Sequence, residues 1–357
     1  MTTAAAGPAQ PAAARQSEPT VDVVVPVFKP GEWLVASLDS VAAACGVRPR
    51  LWIVDDDPLT PLDDRLVSAR WPGARVIHMA SNSGFAAACN RGIQAGDCEY
   101  VLVLNQDARL EPDYLRRLIN RLDSDSSLAV VGGKLLHQQE PSVPPDGLID
   151  TCGIEMRRGR RPVDMAQGDV DDGRPGEWRE VFGVCAAAAL YRRAALQQVA
   201  TERQVFAEAF FMHKEDVDLA WRLRSAGYRA GVDTSAIGYH ARGVRRATDV
   251  TGFGARDWLE RAKRLAAQER AKTPLLRRRL WRNQVLLLLL NERPEDFVRS
   301  FSDLLVYQAL QTGIGFVLDP IGTIASRLGI VRDFPYAISM RRQRRQQGRQ
   351  SLREWLP

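Results

Sequence analysis

The stretch that decides the fold is Tyr100 to Tyr114, YVLVLNQDARLEPDY. Val101 to Leu104 is an apolar run with no polar alternation, the pattern of a strand buried on both faces. The run stops at Asn105-Gln106-Asp107. Glu111-Pro112-Asp113 follows, and Pro112 suits the first position of a helix. A carboxylate, Asp107, is therefore expected at the carboxyl end of a central strand, the edge where open α/β sheets bind ligands. On these residues alone, Asp107 can equally hold a divalent metal or cap the loop and the next helix.

Working outward, elements alternate at short spacing. Val21 to Val27 is a β-branched run suited to a first buried strand, broken by Pro26 and Pro30-Gly31. Trp33 to Ala44 has helical spacing at Leu34, Val35, Leu38 and Val41. Arg50 to Val54 is a second strand, ending in Asp55-Asp56-Asp57-Pro58. Leu62 to Trp71 reads as a helix and Ala74 to His78 as a third strand. Ser81-Asn82-Ser83-Gly84 precedes an Ala-rich helix, Phe85 to Ala95. This alternation indicates an α/β chain with a doubly wound sheet. No G-x-G-x-x-G follows the first strand and no G-x-x-x-x-G-K-[ST] occurs, which counts against dinucleotide oxidoreductases and P-loop NTPases.

Downstream, Leu118 to Leu122 reads as helix and Leu128 to Lys134 as strand. Gln138 to Glu177, rich in Pro, Gly, Asp and Arg, reads as an irregular region laid over the sheet. Val181 to Tyr191 is an ordered run of small side chains, suited to close packing. Phe210 to Leu219 leads into a helix through Ser225 that Gly227 stops. Arg229 to Val232 and Ala236 to Tyr239 read as two short strands, the second closed by His240.

The chain has 357 residues, 45% hydrophobic and 26% charged, ordinary for a globular protein. Its net charge of +6 favours anionic partners. Cys45, Cys89, Cys98, Cys152 and Cys185 are scattered, without metal-ligand or disulfide spacing, and read as reduced thiols of a cytoplasmic protein. Residues 1–20 lack the basic start and apolar core of a signal peptide and read as a flexible tail. No apolar run is long enough to span a membrane.

Three acidic groups fall at predicted element ends: Asp55 to Asp57, Asp107, and Glu215-Asp216-Asp218. Singly, each has a structural role open to it: turn residues at Asp55 to Asp57, a helix N-terminus for Glu215 and Asp216, an ion pair of Asp218 with Arg222 one turn on. Their recurrence at the ends of one sheet's elements, together with His240, points to one crevice.

The ordered set VVVPVFKP, IVDDD, NSGFAAACNRGI, VLVLNQDARLEPDYL, FGVCAAAALYRR, FFMHKEDVDLAWRLRSAGY and GYHARG resembles family 2 glycosyltransferases of the GT-A fold, in the bacterial rhamnosyltransferase-like branch. The resemblance covers Val21 to Gly243. It implies a GT-A nucleotide-diphospho-sugar transferase fold with a doubly wound mixed sheet and a C-terminal helical extension. It assigns Pro26, Asp55, Asp56, Asn82, Gly84, Phe85, Asn90, Asn105 and Glu215 to the nucleotide-sugar. Asp107 and His240 become the expected ligands of Mg²⁺ or Mn²⁺, and Asp216 the catalytic base. Backbone N–H groups near Gly84 are expected to face phosphate. Asn105 stands where the metal motif more often has Asp, and Lys214 where an aromatic is usual; Lys214 is expected to face water.

From Trp258 onward arginines accumulate beside apolar runs, a pattern suited to an anionic membrane surface and equally to solvated helices. No nucleic-acid motif accompanies them. The expected organisation is a tail over 1–20, a catalytic domain over 21–250, a helical extension over 251–340 and a basic tail over 341–357. The expected activity is inverting transfer from a nucleotide-diphosphate sugar, best dTDP-L-rhamnose, to a saccharide or lipid-linked acceptor in cell-surface polysaccharide or glycolipid assembly. UDP-hexose or UDP-galactofuranose transfer and a non-catalytic nucleotide-binding scaffold stand as alternatives. The expected place is the cytoplasm, peripheral on the inner face of the plasma membrane, with a homodimer through the C-terminal helices as a further possible association.

Overall fold

The computed structural model describes residues 18–174, 176–241, 263, 266, 267, 269–347 and 350–357. The tail expected over 1–20 lies almost wholly outside the described residues, as does the expected 250/251 boundary.

The parallel strands come first: β1 (Thr20–Val27), β2 (Arg48–Asp55), β3 (Arg75–His78) and β4 (Tyr100–Leu104). Helices α1 (Glu32–Ala42), α2 (Asp64–Arg70) and α3 (Phe85–Ala95) connect them. After β5 (Ala108–Leu110) and α4 (Tyr114–Ser124) come β6 (Leu128–His137), β7 (Ile149–Thr151), β8 (Ile154–Arg157), β9 (Arg161–Asp164), β10 (Trp178–Glu180) and β11 (Ala188–Arg192). Helices α5 (Arg193–Val199) and α6 (Glu215–Ser225) precede the long last strand, β12 (Arg229–His240).

The main sheet runs β10-β12-β6-β11-β4-β1-β2-β3, with β5 paired to β12 and β7 to β6. It is the mixed α/β sheet expected. All five residues of β4 are buried, as an unalternating apolar run requires. Two apolar layers flank the sheet: Leu34, Leu38 and Val41 of α1 with Tyr114, Leu118 and Leu122 of α4 on one side, Ala86, Cys89 and Ile93 of α3 on the other.

Several expectations need correction. Pro26 does not break the first strand: β1 continues to Val27, paired with β2 throughout. Its pairing with β4 ends at Val24, so the missing Pro26 N–H costs no ladder bond on that side. The region 138–177 contains β7 and the separate β8–β9 hairpin, strands too short to show a periodicity. The ordered run at Val181 to Tyr191 is strand only from Ala188. The two strands expected after Gly227 are one, β12, interrupted by an irregularity between Asp233 and Ile237.

The C-terminal helices are α7 (Pro274–Asn291), α8 (Pro294–Arg299), α9 (Phe301–Leu318) and α10 (Pro320–Gln347). They are not a loose appendage. Leu286, Leu287 and Leu290 of α7 enter the main core. The region expected as a basic tail from 341 continues α10 and then docks. Leu352 and Leu356 are buried, and the Arg224 guanidinium lies 3.9 Å from the Trp355 ring centroid.

Much of the basic charge expected on the surface is turned inward. Arg341 donates to the carbonyls of Leu289 (2.7 Å) and Glu292 (2.6 Å). Buried Arg160 pairs with Glu292 at 2.9 Å and donates to the Pro357 carbonyl at 2.8 Å. Asp218 is fully buried between Arg344 (2.7 Å), Arg222 (3.0 Å) and the Asn291 amide (2.8 Å). The pairing with Arg222 was legible from the spacing; the arginine from α10 was not. Burial alone would raise the Asp218 pKa, but Arg344 and Arg222 hold it below the ordinary carboxylate value.

Removing one partner leaves a buried charge under-compensated, so Arg344→Met is expected to cost about 3–5 kcal/mol, read from urea unfolding. Because the folded pKa of Asp218 is depressed, its contribution is present above the unfolded aspartate pKa and lost as pH falls through the acid range. The variant should show a flatter acid limb of stability against pH.

Candidate active site

Strand direction assembles the site. β11 is antiparallel to both β4 and β6, so β1, β2, β3, β4, β6 and β12 all point one way. Their carboxyl ends share one edge, which brings Asp55, Asn105 to Asp107 and His240 to the same side. The chain order reverses between β1 and β4, the switch point where such sheets open a crevice. Gln106 stitches this point: its Oε1 accepts from Phe28 N at 2.9 Å and its Nε2 donates to Phe28 O at 3.0 Å.

The turn after β4 folds straight back as β5, which sequence reading missed because three residues carry no periodicity. β5 pairs antiparallel with the end of β12, with Ala108 opposite His240, and Ala241 N donates to Asp107 O at 3.0 Å. Backbone pairing thus places Asp107 beside His240, with Oδ1 3.4 Å from Nε2. The other imidazole nitrogen, Nδ1, lies 2.9 Å from Oδ2 of buried Asp150 on β7. Asn105 Nδ2 is 3.2 Å from His240 Nε2. Burial disfavours the His240 cation, yet Asp107 and Asp150 outweigh it and push its pKa up to about 9. Burial would raise Asp107, but the hydrogen bond and the charge of His240 together outweigh it and lower the pKa.

Asp150 was not anticipated. The available signal was a carboxylate inside the apolar run Leu148-Ile149-Asp150-Thr151-Cys152, where an unpaired charge would be costly.

This arrangement fits a divalent cation. Two ligand atoms 3.4 Å apart can both reach one ion through bonds of roughly 2.0–2.2 Å. A carboxylate on the far nitrogen is the usual support for a metal-binding imidazole. Asn105 Oδ1 is buried without a hydrogen-bond partner among the described residues. A different acidic group, Asp22, Asp97 and Cys98, also has the spacing for a metal. Asp22, however, already accepts from Arg50 (2.7 Å), Arg193 (2.7 Å) and Trp52 (2.8 Å), at the opposite edge of the sheet.

Asp107 and His240 stand at one side of a cleft of about 260 Å³ whose lining includes Asn105, His240, Lys214, Glu215 and Asp216. Cys185, Ala186 and Ala187 line it too, so the small side chains there serve the cleft as well as packing. β9 contributes Pro162, Val163 and Asp164. Glu215 is buried, and its Oε2 has no partner among the described residues. Burial first, then the neighbouring Asp216, pushes its pKa well above the carboxylate range. The Asp216 carboxylate accepts from Val217 N (2.8 Å) and Ala186 N (3.4 Å). Lys214 also lines the cleft instead of simply facing water, and burial brings its pKa down to about 8.

The segment before Asp216 is strained. Phe211, His213 and Lys214 have φ of 64°, 70° and 74°, in the left-handed region that side chains disfavour. Helix α7 holds it there: the buried Asn283 amide lies within 3.0 Å of the carbonyls of Phe210, Met212 and His213, and Arg282 donates to Ala209 O at 2.7 Å. Gly84, at φ +86°, meets this segment from the other side. A Cβ there would stand 2.6 Å from Phe211 O.

Other expected site residues are distributed differently. Asp55 accepts from Leu62 N (2.8 Å) and faces His78 (3.0 Å). Asp56 is buried and accepts from Ser83 N (2.8 Å) and Gly84 N (2.7 Å), so the backbone donors expected to face phosphate are taken by a carboxylate. Asn82 is exposed beside this turn, and Phe85 lines the cleft. Pro26 is buried within β1. Asn90 is buried, its Nδ2 donating to Phe206 O (2.8 Å) and Glu208 (2.9 Å), its Oδ1 accepting from Val205 N and Phe206 N.

Comparison with known proteins gives the family. The model of Glycosyl transferase family 2 matches residues 22–200, about half of the chain. An N-acetylglucosaminyl-diphospho-decaprenol L-rhamnosyltransferase of Mycobacterium tuberculosis is 29% identical over 229 residues, covering 58% of this chain and 71% of the relative. A pre-mycofactocin glycosyltransferase of the same species is 26% identical over 243 residues, covering 68% of this chain and 45% of the relative. Among solved structures, GalNAc-T7 with UDP, GalNAc and Mn²⁺ superposes with a TM-score of 0.49 at 10% identity, over 63% of this chain and 44% of that one. The chain belongs to glycosyl transferase family 2 and is a rhamnosyltransferase-like glycosyltransferase.

Proposed function

We propose that the protein is an inverting, metal-dependent transferase that moves L-rhamnose from dTDP-L-rhamnose to a hydroxyl of a saccharide or lipid-linked saccharide. The observation that carries this reading is the cleft itself, which brings Asn105, His240, Glu215 and Asp216 together beside Asp107. The M. tuberculosis relative named for L-rhamnosyl transfer on a diphospho-decaprenol supports the choice of sugar and acceptor class. Assembly of a cell-surface polysaccharide or glycolipid is the matching role.

In this reading Asp107 and His240 hold Mg²⁺ or Mn²⁺, and His240 gives up its Nε2 proton to do so. The ion, when bound, offsets charge on the departing diphosphate. Asp150 keeps the imidazole oriented. Lys214 faces the diphosphate from the opposite wall. The acidic turn at Asp55 and Asp56, with Pro26, Asn82, Gly84 and Phe85, frames the base and ribose, Asp56 by shaping the loop. Asn90 acts through the segment it anchors.

Asp216 takes the acceptor's proton as that oxygen attacks C1, so one displacement inverts the anomeric carbon. Backbone N–H groups of Val217 and Ala186 keep its carboxylate aimed into the cleft. Glu215, kept protonated by burial and by Asp216, can donate a hydrogen bond to a sugar hydroxyl.

Two outcomes are expected. With Mn²⁺ and acceptor, nucleoside diphosphate release should be fastest from dTDP-L-rhamnose, and Asp216→Asn should lose about 10²–10⁴-fold in kcat while keeping donor affinity. Equal turnover in Asp216→Asn removes the base assignment, and release only from UDP-sugars removes the rhamnosyl donor. Secondly, Lys214 is cationic below its pKa of about 8 and neutral above it. The donor KM should therefore rise between pH 7 and pH 9, and Lys214→Met should flatten that rise. A rise that persists in the variant removes Lys214 from diphosphate binding.

A further inference from the structure

Helices α9 and α10 are built inside out for a protein surrounded by water. From Phe301 to Val331 no exposed residue carries a charge, and Ser302 is the single exposed hydroxyl. The outward side chains are Phe301, Leu305, Val306, Leu310, Phe316, Val317, Ile321, Ile324, Leu328 and Val331, with Val317 76% and Ile321 78% exposed. The inward face is largely polar, with Leu304 its one buried apolar side chain between Phe301 and Val331. Gln311, Thr323 and Ser326 are buried. Gln311 donates to Tyr307 Oη at 2.7 Å, Arg327 to Thr312 Oγ1 at 2.6 Å, and Thr323 and Ser326 to backbone carbonyls at 2.8 Å.

Glycines let these helices approach closely. A Cβ on Gly315 would stand 2.6 Å from Thr323 Oγ1, and one on Gly322 would collide with Asp319 and Arg278. Small residues and hydroxyls inside, aliphatic residues outside, is how helices associate when their surroundings are as apolar as their side chains. A patch of this extent on a water-facing surface marks a partner.

Charge at the margins selects the partner. Arg332 and Arg342 are exposed on α10 beyond the apolar stretch. At the same, open end of the hairpin, a cavity of about 660 Å³ is lined by Arg158, Arg299 and Arg353 together with Ser300, Ser302 and Asp303. An apolar face bordered by arginines at the open end of the hairpin complements acyl chains under anionic headgroups. Among the described residues no helix is long and apolar enough to cross a membrane, so the pair must lie along the surface.

We propose that the outward face of the α9–α10 hairpin is a membrane-docking surface that beds into one leaflet of an anionic bilayer. The inference does not depend on which sugar or acceptor the enzyme uses. It also connects with the cleft: the β8–β9 hairpin rests on α9, where a Cβ on Gly159 would meet Tyr307 at 2.9 Å, and its strand β9 lines the active site. Docking would therefore hold the cleft at the surface of the membrane.

Flotation of the purified full chain with phospholipid vesicles tests this. The protein should float with phosphatidylglycerol-containing vesicles and remain largely at the bottom with phosphatidylcholine alone. Val306→Glu and Ile321→Glu, each checked for an unchanged circular-dichroism melt, should each lower the floated fraction about tenfold. Flotation of both variants like the parent overturns the proposal, and so does flotation indifferent to phosphatidylglycerol. Absence of flotation, with a dimer in sedimentation that either glutamate converts to monomer, would assign the face to a second copy instead.

Discussion

The site depends on one short piece of strand pairing. β5 is three residues long, yet by pairing antiparallel with the end of β12 it sets Asp107 3.4 Å from His240. The two residues are far apart in the chain, and no side-chain interaction is needed to bring them together. Backbone hydrogen bonds do it, and Asp150 then fixes the imidazole from behind. Without that ladder the turn after β4 would carry Asp107 as a solvated loop carboxylate, one of the two roles its sequence leaves open. Gln106, between Asn105 and Asp107, ties the same turn to Phe28 across the switch point.

The second constraint comes from outside the sheet. The strained segment ahead of Asp216 stays in the left-handed region because Asn283 and Arg282 of α7 hold its carbonyls. Arg344 of α10 and Asn291 of α7 meet at Asp218, two residues beyond the proposed base. Basic residues that look like a solvated surface when read along the chain act here as ties between the helical extension and the catalytic sheet. The same extension turns its apolar residues outward. That outward face is the one proposed to dock on lipid.

What was legible in the chain follows from the range of the interactions. Both ends of α3 coincide with the sequence reading and β4 differs only by starting at Tyr100, because an Ala-rich helix and a buried apolar run are specified by their own residues. Asp107, Glu215, Asp216 and His240 could be singled out because each stands at the end of an element whose pattern is local. Asp150, Asn283 and Arg344 were missed because their roles are defined by contacts across 90, 70 and 126 positions. Asp56 and Asn90 have partners the chain alone does not show. Their motif places them correctly beside the crevice, but their polar atoms are engaged by backbone groups of the fold itself.

The central claim is that Asp107 and His240 form a cation site completed by a nucleoside diphosphate. Mn²⁺ binding followed by electron paramagnetic resonance, with and without dTDP, tests it most directly. The account predicts binding strengthened by the diphosphate and lost in His240→Ala, with the fold of the variant retained. Unchanged, diphosphate-dependent Mn²⁺ binding in His240→Ala would contradict it.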